Sequence, residues 1–236
     1  MSKDFIFDTT VKLFPFEEVS RWIPYPTQPL VIEDLLANFA LYSSVIPTEE
    51  RQFVYLQAAV REYFRKQDSK EPLTGGKSFL PKYVEDYSRN EKEALLIFLD
   101  TQEPQGVVEV YGRKKTQETH FATIIAPLGP INPLKKEKIL TADFDFKIKE
   151  KQRLVLVSDE IQLIPLPFGE RVKVKVRCFS NFKITGKSSL QIELLGSRLG
   201  VIFDGRGRPM NLPTADPQGR ERLLLWQNSL GLSLKF

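Results

Sequence analysis

Cysteine and histidine occur once each in the 236 residues, as Cys178 and His120. A single thiol excludes an intramolecular disulfide, and one thiol with one imidazole cannot supply the four ligands of a structural zinc site. His120 has no serine, cysteine or acid beside it to complete a proton relay, so it reads as a rim or loop residue rather than a base. Long apolar runs are missing too. The longest, Ala94 to Leu99, has six residues, against the roughly 20 needed to cross a bilayer. Met1 to Phe14 mixes Lys3, Asp4, Asp8 and Lys12 into its apolar residues and has no signal-peptide core. A cytoplasmic protein with no membrane partner is the expectation.

What the chain does have is an uneven charge. Residues 1–112 carry 12 basic and 18 acidic side chains, a balance of −6, while residues 113–236 carry 22 and 12, a balance of +10. The hydrophobic period changes at the same place, from three and four residues to two. That coincidence predicts an α+β protein of two domains, helical and acidic over 1–112 and basic and β-rich over 113–236.

In the first part, Ile32, Leu35, Leu36, Phe39 and Tyr42 form one stripe of a helix over Val31 to Ser43. Pro47 and Thr48 open a second helix with Glu49 and Glu50 in its first turn and Phe53, Leu56, Val60 and Phe64 on its buried face. Asn90 and Glu93 resemble a capping box ahead of Ala94 to Leu99, a helix apolar nearly all round. Phe5-Ile6-Phe7 reads as a short strand, and Gln67 to Ser78 as a polar loop. The second part alternates: strands are predicted near 107–111, 121–125, 142–148, 171–177, 190–195 and 199–203, the last closing on Asp204-Gly205 as a hairpin turn. A terminal helix over 216–231 follows, with Asp216 as cap, Pro217 at the first position and Gly231 as stop. The expected architecture is a barrel or sandwich with this helix closing an edge or an end.

Four features carry candidate chemistry. Thr74-Gly75-Gly76-Lys77-Ser78 looks like the end of a phosphate-binding loop, which makes Gly75, Gly76 and Lys77 candidate nucleotide contacts. The spacing argues for an ordinary turn, because the first glycine of such a loop would fall on Glu71 and Phe79-Leu80-Pro81 does not continue a helix. Arg206-Gly207-Arg208-Pro209 matches the core of a minor-groove hook, although its apolar flanks favour a surface turn. Arg171, Lys173, Lys175 and Arg177 share one face of a strand, and with Arg206 and Arg208 they are the candidate polyanion contacts. That strand holds no stacking aromatic, as single-strand binders use, and lysine on a strand face also protects edges from pairing. Asp143 and Asp145 stand two apart, about 7 Å along a strand, a separation that would suit acid–base work were a third group present.

Three stretches resemble the MutL-type accessory proteins of cobalamin-dependent glutamate mutase. They are Arg21 to Pro26 with Leu35 to Asn38, Val45 to Thr48 and the helix bearing Ala58 to Glu62; Ala94 to Pro104 with Gln105-Gly106-Val107; and Leu199 to Pro209 with Leu212, Pro213, Arg222, Leu225, Trp226 and Leu230-Gly231. The resemblance implies an actin-like fold in the helical part and a β-rich tail after it. It covers only the second half of such proteins, whose first lobe, with its phosphate loop and catalytic acid, would precede Met1. ATP hydrolysis by this chain alone is therefore not expected, and no motif calls for a cofactor. The implied role is a non-catalytic accessory or assembly module. Its partner would be a protein, such as a cobalamin-dependent mutase or the missing ATPase lobe. Nucleic acid or another polyanion at the basic strand face is the alternative.

Overall fold

A computed structural model of the protein describes residues 15–41, 47–67, 73–114, 117–132, 135–146 and 151–232. The strand expected at Phe5 to Phe7 lies outside them. The chain is α+β and divides into two compact units: 1–70, 83–102 and 212–236 make one, and 71–82 with 103–211 the other. The boundary expected after residue 112 falls instead inside a strand, because the hairpin that the β-rich unit needs begins at Gln105. Charge changes sign within that hairpin, so the electrostatic and the structural boundaries differ.

The first unit is helical: α1 (Phe16–Ser20), α2 (Pro29–Leu41), α3 (Glu50–Gln67), α4 (Lys82–Asp86), α5 (Glu91–Gln102) and α6 (Pro217–Ser229). The caps expected at Asn90 and Asp216 form, whereas the helix expected to open on Thr48 begins at Glu50. The Glu93 amide donates to Asn90 Oδ1 at 3.0 Å, and the Gly219 amide to Asp216 Oδ1 at 2.8 Å, with Pro217 at the first helical position. In α5 every residue from Glu93 to Thr101 is buried, as expected of a helix apolar all round. The helix α6, expected to close the β-rich part, belongs to the helical unit: beyond its end, a Cβ added at Gly231 would lie 3.1 Å from Nζ of Lys92 on α5.

Two buried polar side chains of this unit make specific hydrogen bonds. Glu62, fully buried on α3, accepts from Trp22 Nε1 at 3.0 Å and from Arg65 Nη2 at 3.0 Å. Gln57 donates to the Tyr87 carbonyl at 2.8 Å.

The second unit holds two sheets among the described residues. The first runs β1 (Thr74–Phe79), β2 (Gln105–Lys114), β3 (Gln117–Ala126), β9 (Val201–Asp204), β6 (Ile161–Ile164), with β1–β2 and β3–β9 parallel. The second is antiparallel throughout: β5 (Gln152–Val157), β4 (Lys138–Asp145), β7 (Arg171–Cys178), β8 (Ser189–Leu195). One apolar core draws on both sheets, with Ile125, Val201 and Phe203 from the first and Leu140, Phe144, Leu154, Leu156, Val172, Val174 and Val176 from the second. This is a sandwich arrangement. The barrel is not found, because the two sheets stay open at β1, β6, β5 and β8 rather than closing on one another.

Register in β7 is fixed by burial. Val172, Val174 and Val176 point into the core, each contributing roughly 1.5–3 kcal/mol. A slip of one residue would bury Arg171, Lys173, Lys175 and Arg177 in their place. At the entry to β9, Gly200 has φ +101° and an added Cβ would lie 2.3 Å from the Ile164 carbonyl, so no side chain fits there.

Replacing Glu62 with alanine is expected to cost about 2–3 kcal/mol by leaving the Trp22 indole N–H and Arg65 without their acceptor. Glu62→Gln, which keeps an acceptor oxygen, should lose less. Urea unfolding followed by tryptophan fluorescence measures both.

Candidate functional site

The exposed face of the second sheet gathers most of the candidate cations. Alternation along β7 turns Arg171, Lys173, Lys175 and Arg177 outward, as the sequence implies. The sequence does not reveal what stands beside them. In register, Asp143 of β4 lies opposite both Lys175 and Arg153 of β5, Asp145 opposite Lys173, and Lys173 also opposite Glu193 of β8. Arg153 donates to both Asp143 oxygens, at 2.5 and 3.1 Å, and Arg171 Nη1 to Glu193 Oε2 at 2.9 Å. The face thus carries three carboxylates set among its cations rather than cations alone. The hydrogen bond from Arg153, then the charges of Arg153, Lys175 and Arg177, hold the Asp143 carboxyl below its usual range. These exposed pairs contribute on the order of 0–1 kcal/mol each, so their consequence is a surface pattern more than stability.

A concavity of about 630 Å³ lies on this face, lined by Asp143, Asp145, Lys151, Arg153, Lys173 and Lys175 among others. Asp143 and Asp145 do share one face, but Asp143 is bound by Arg153 and Asp145 stands opposite Lys173, which does not make an acid–base pair. Among the described residues no group of three or more His, Cys, Asp or Glu could hold a metal ion.

Arg206 and Arg208 are not polyanion contacts. They are 0% and 2% exposed, and both close on Asp204, itself 0% exposed. Arg206 donates Nε to Asp204 Oδ1 and Nη2 to Oδ2, each at 2.9 Å, and Arg208 Nη2 donates to Oδ2 at 2.7 Å. Arg208 Nε also reaches the Pro104 carbonyl at 3.0 Å. Neither guanidinium faces solvent, so the hook-like motif is an internal clamp. The Asp204-Gly205 pair is correspondingly no hairpin turn: Asp204 is the acceptor at the centre of that clamp. Burial alone would raise the Asp204 carboxyl, but the two guanidinium charges outweigh it and hold it far below the usual range.

The candidate nucleotide loop is also something else. Gly75, Gly76 and Lys77 belong to the edge strand β1, where the register with β2 shifts between Thr74 and Gly76. Gly75 at φ +69° and Gly76 at φ +81° make this bulge. Lys77 Nζ sits 5.0 Å above the Tyr111 ring. Their backbone amides lie along a strand and not at the head of a helix, which is the geometry phosphate binding would need.

His120 also stacks on Tyr111, the ring centroids 5.0 Å apart, with Nε2 3.2 Å from Thr123 Oγ1. It is a buried strand residue rather than a rim or loop one. Burial pushes its imidazole below the ordinary value, Lys77 acts in the same direction, and Glu109 opposes them. Burial likewise raises the Cys178 thiol, to about 11.

No family model, curated protein or solved structure matches the chain. The residues that carry the MutL-type resemblance are largely interior: Trp22, Ile23, Ala58 to Glu62, Ala94 to Leu99, Val201 to Asp204, Arg206, Arg208, Trp226 and Leu230 are all buried. Interior residues bear on a fold rather than on an activity.

Asp204→Ala is expected to destabilise the protein by about 3–5 kcal/mol, because two guanidinium groups would stay buried without their anion. Denaturant unfolding measures the loss. The Asp204 carboxyl is depressed in the folded state, so its contribution is complete above about pH 4, the unfolded value, and falls as pH drops toward the folded one. His120, the one histidine, gives a single imidazole resonance, and its NMR titration midpoint should lie below 6.5. The neutral form is the one that folding favours, so His120 removes stability as pH falls through that midpoint.

Proposed function

We propose that this protein is a non-catalytic accessory or assembly module acting through protein contacts at the exposed face of its four-stranded sheet. The supporting observation is the mixed charge of that face. Carboxylates at Asp143, Asp145 and Glu193 interleave with the cations of β5 and β7 around a concavity. A phosphate backbone would have to approach three carboxylates to reach those cations. A protein surface of mixed charge meets both signs at once, and such complementarity gives orientation and specificity more than raw affinity. The likeness to the C-terminal half of MutL-type proteins supports the same role and points to a cobalamin-dependent mutase or an ATPase lobe as the partner class. Neither the β1 bulge nor the internal arginine clamp offers a nucleotide or nucleic-acid contact.

Polyanion binding is the second reading, and one observation favours it. Beside the paired Arg153 and Arg171, Lys175 and Arg177 both add positive field at Asp143, so the middle of the face is cationic on balance.

The double reversal Lys173→Glu with Lys175→Glu separates the two. For protein contacts, a partner cross-linked to the sheet face and identified by mass spectrometry is expected with the native protein and lost, by ten-fold or more in yield, with the reversal. Recovery of equal amounts from both would sink this reading. If labelled single-stranded DNA or RNA instead binds with an affinity falling steeply and log-linearly with salt, and the reversal abolishes it, the polyanion reading holds.

A further inference from the structure

Strands β1, β6, β5 and β8 border the two sheets, and three of them carry a device against pairing with another chain. β1 is bulged at Gly75 and Gly76 and presents Lys77. β6 has four residues and runs into Pro165. β5 has backbone groups taken by side chains, since Gln162 Nε2 donates to the Val155 carbonyl at 3.1 Å and the Val157 amide donates to Glu160 Oε2 at 3.5 Å. The remaining border, β8, has none of these. Its seven residues hold no proline, lysine or arginine, and they pair with β7 without a register shift.

Alternation settles which backbone groups of β8 point outward. Just past one end the Gly196 amide donates to the Glu170 carbonyl at 2.7 Å, and at the other the Cys178 amide donates to the Ser188 carbonyl at 2.7 Å, so the even-numbered residues aim their amides and carbonyls at β7. Ser189, Gln191, Glu193 and Leu195 aim theirs away from it, and among the described residues no strand pairs along that edge. On the core side Leu194 is buried, while Leu190 and Ile192 pack against the core only in part, which leaves apolar surface beside the same edge.

The strand is complementary to a second copy of itself. In an antiparallel pair centred on Ile192, Ile192 faces Ile192 and Leu190 faces Leu194 on the core side, while Gln191 faces Glu193 and Ser189 faces Leu195 on the outer side. Apolar meets apolar toward the core, and each Glu193 carboxylate meets the amide donor of a Gln191 instead of another anion. Centring on Glu193 would set two carboxylates against each other, and centring on Gln191 would put Leu194 and Leu195 opposite Ser188 and Lys187, beyond the end of the strand. We propose that β8 pairs in the Ile192-centred register with β8 of a second copy, joining the two four-stranded sheets into one across a two-fold axis. The contact uses the edge of the sheet and not its face, so it does not rest on the role assigned to that face.

Sedimentation equilibrium of the full chain tests the pairing. One strand makes a small interface and hence a weak association, so the mean mass should rise toward twice the monomer's as concentration is raised to about 0.5 mM. Gln191→Glu sets a carboxylate against Glu193 twice per dimer and should weaken association about five-fold, whereas Gln191→Lys creates two opposite-charge pairs and should tighten it by about the same factor. Within one chain Gln191 faces Lys175, so the effects of these variants on fold stability run the other way, and thermal melts separate the two. Ile192→Cys should close a disulfide with its counterpart under mild oxidation, because facing Cα atoms in a non-hydrogen-bonded pair lie about 4.5 Å apart; the native thiol of Cys178 is buried. A monomer at every concentration overturns the proposal. So would association beyond a dimer, a shift of the same sign in both Gln191 variants, or no cross-link at Ile192→Cys.

Discussion

One buried carboxylate organises the β-rich unit. Asp204 ends β9 and meets Arg206 and Arg208 in a site closed to solvent, where two cations and one anion would be untenable without further acceptors. Those acceptors are backbone oxygens, one distant and one adjacent: Arg208 Nε donates to the Pro104 carbonyl and Nη1 to the neighbouring Gly207 carbonyl, while the Arg208 amide separately donates to the Gly129 carbonyl. The Met210 amide donates to Glu103 at 2.8 Å beside them. The clamp therefore joins the end of β9 to the lead-in of β2 and to the loop after β3. It fixes the strand that lies between β3 and β6 in the first sheet, and that strand adds Val201 and Phe203 to the core both sheets share.

From that core the second sheet's outer face follows. Once the valines of β7 are committed inward, its cations have one direction left, and the antiparallel neighbours must set their own polar residues beside them. On this face both signs are present, with Asp143, Asp145 and Glu193 set in register among the cations of β5 and β7.

Local signals in the sequence were the readable ones. Asn90 and Asp216 cap their helices because a side-chain oxygen two or three residues from an amide needs no tertiary information. Alternation in Arg171 to Cys178 and the buried character of α5 were likewise legible. The loop predicted over Gln67 to Ser78 hid β1, since Thr-Gly-Gly-Lys has no strand propensity and pairs only because β2 offers a parallel edge. The strand β5 was missed although Leu154 and Leu156 alternate with Arg153 and Val155, a pattern short enough to pass for a loop. The mixture of charge on the sheet face was out of reach, because Asp143 and Lys175 become neighbours only through tertiary pairing. Arg206 and Arg208 looked like surface cations because nothing local reveals that their counter-charge, two and four residues back, is itself buried.

The two units are interleaved along the chain: the helical one is assembled from 1–70, 83–102 and 212–236, the β-rich one from 71–82 and 103–211. During synthesis on the ribosome, α3 and α5 emerge long before α6, and they must wait through the whole of the intervening β-rich segment for the helix that completes their unit. The sandwich, by contrast, has its last strand as soon as β9 is out. Vectorial synthesis thus orders the two units in time, with the helical unit closing last although it starts first.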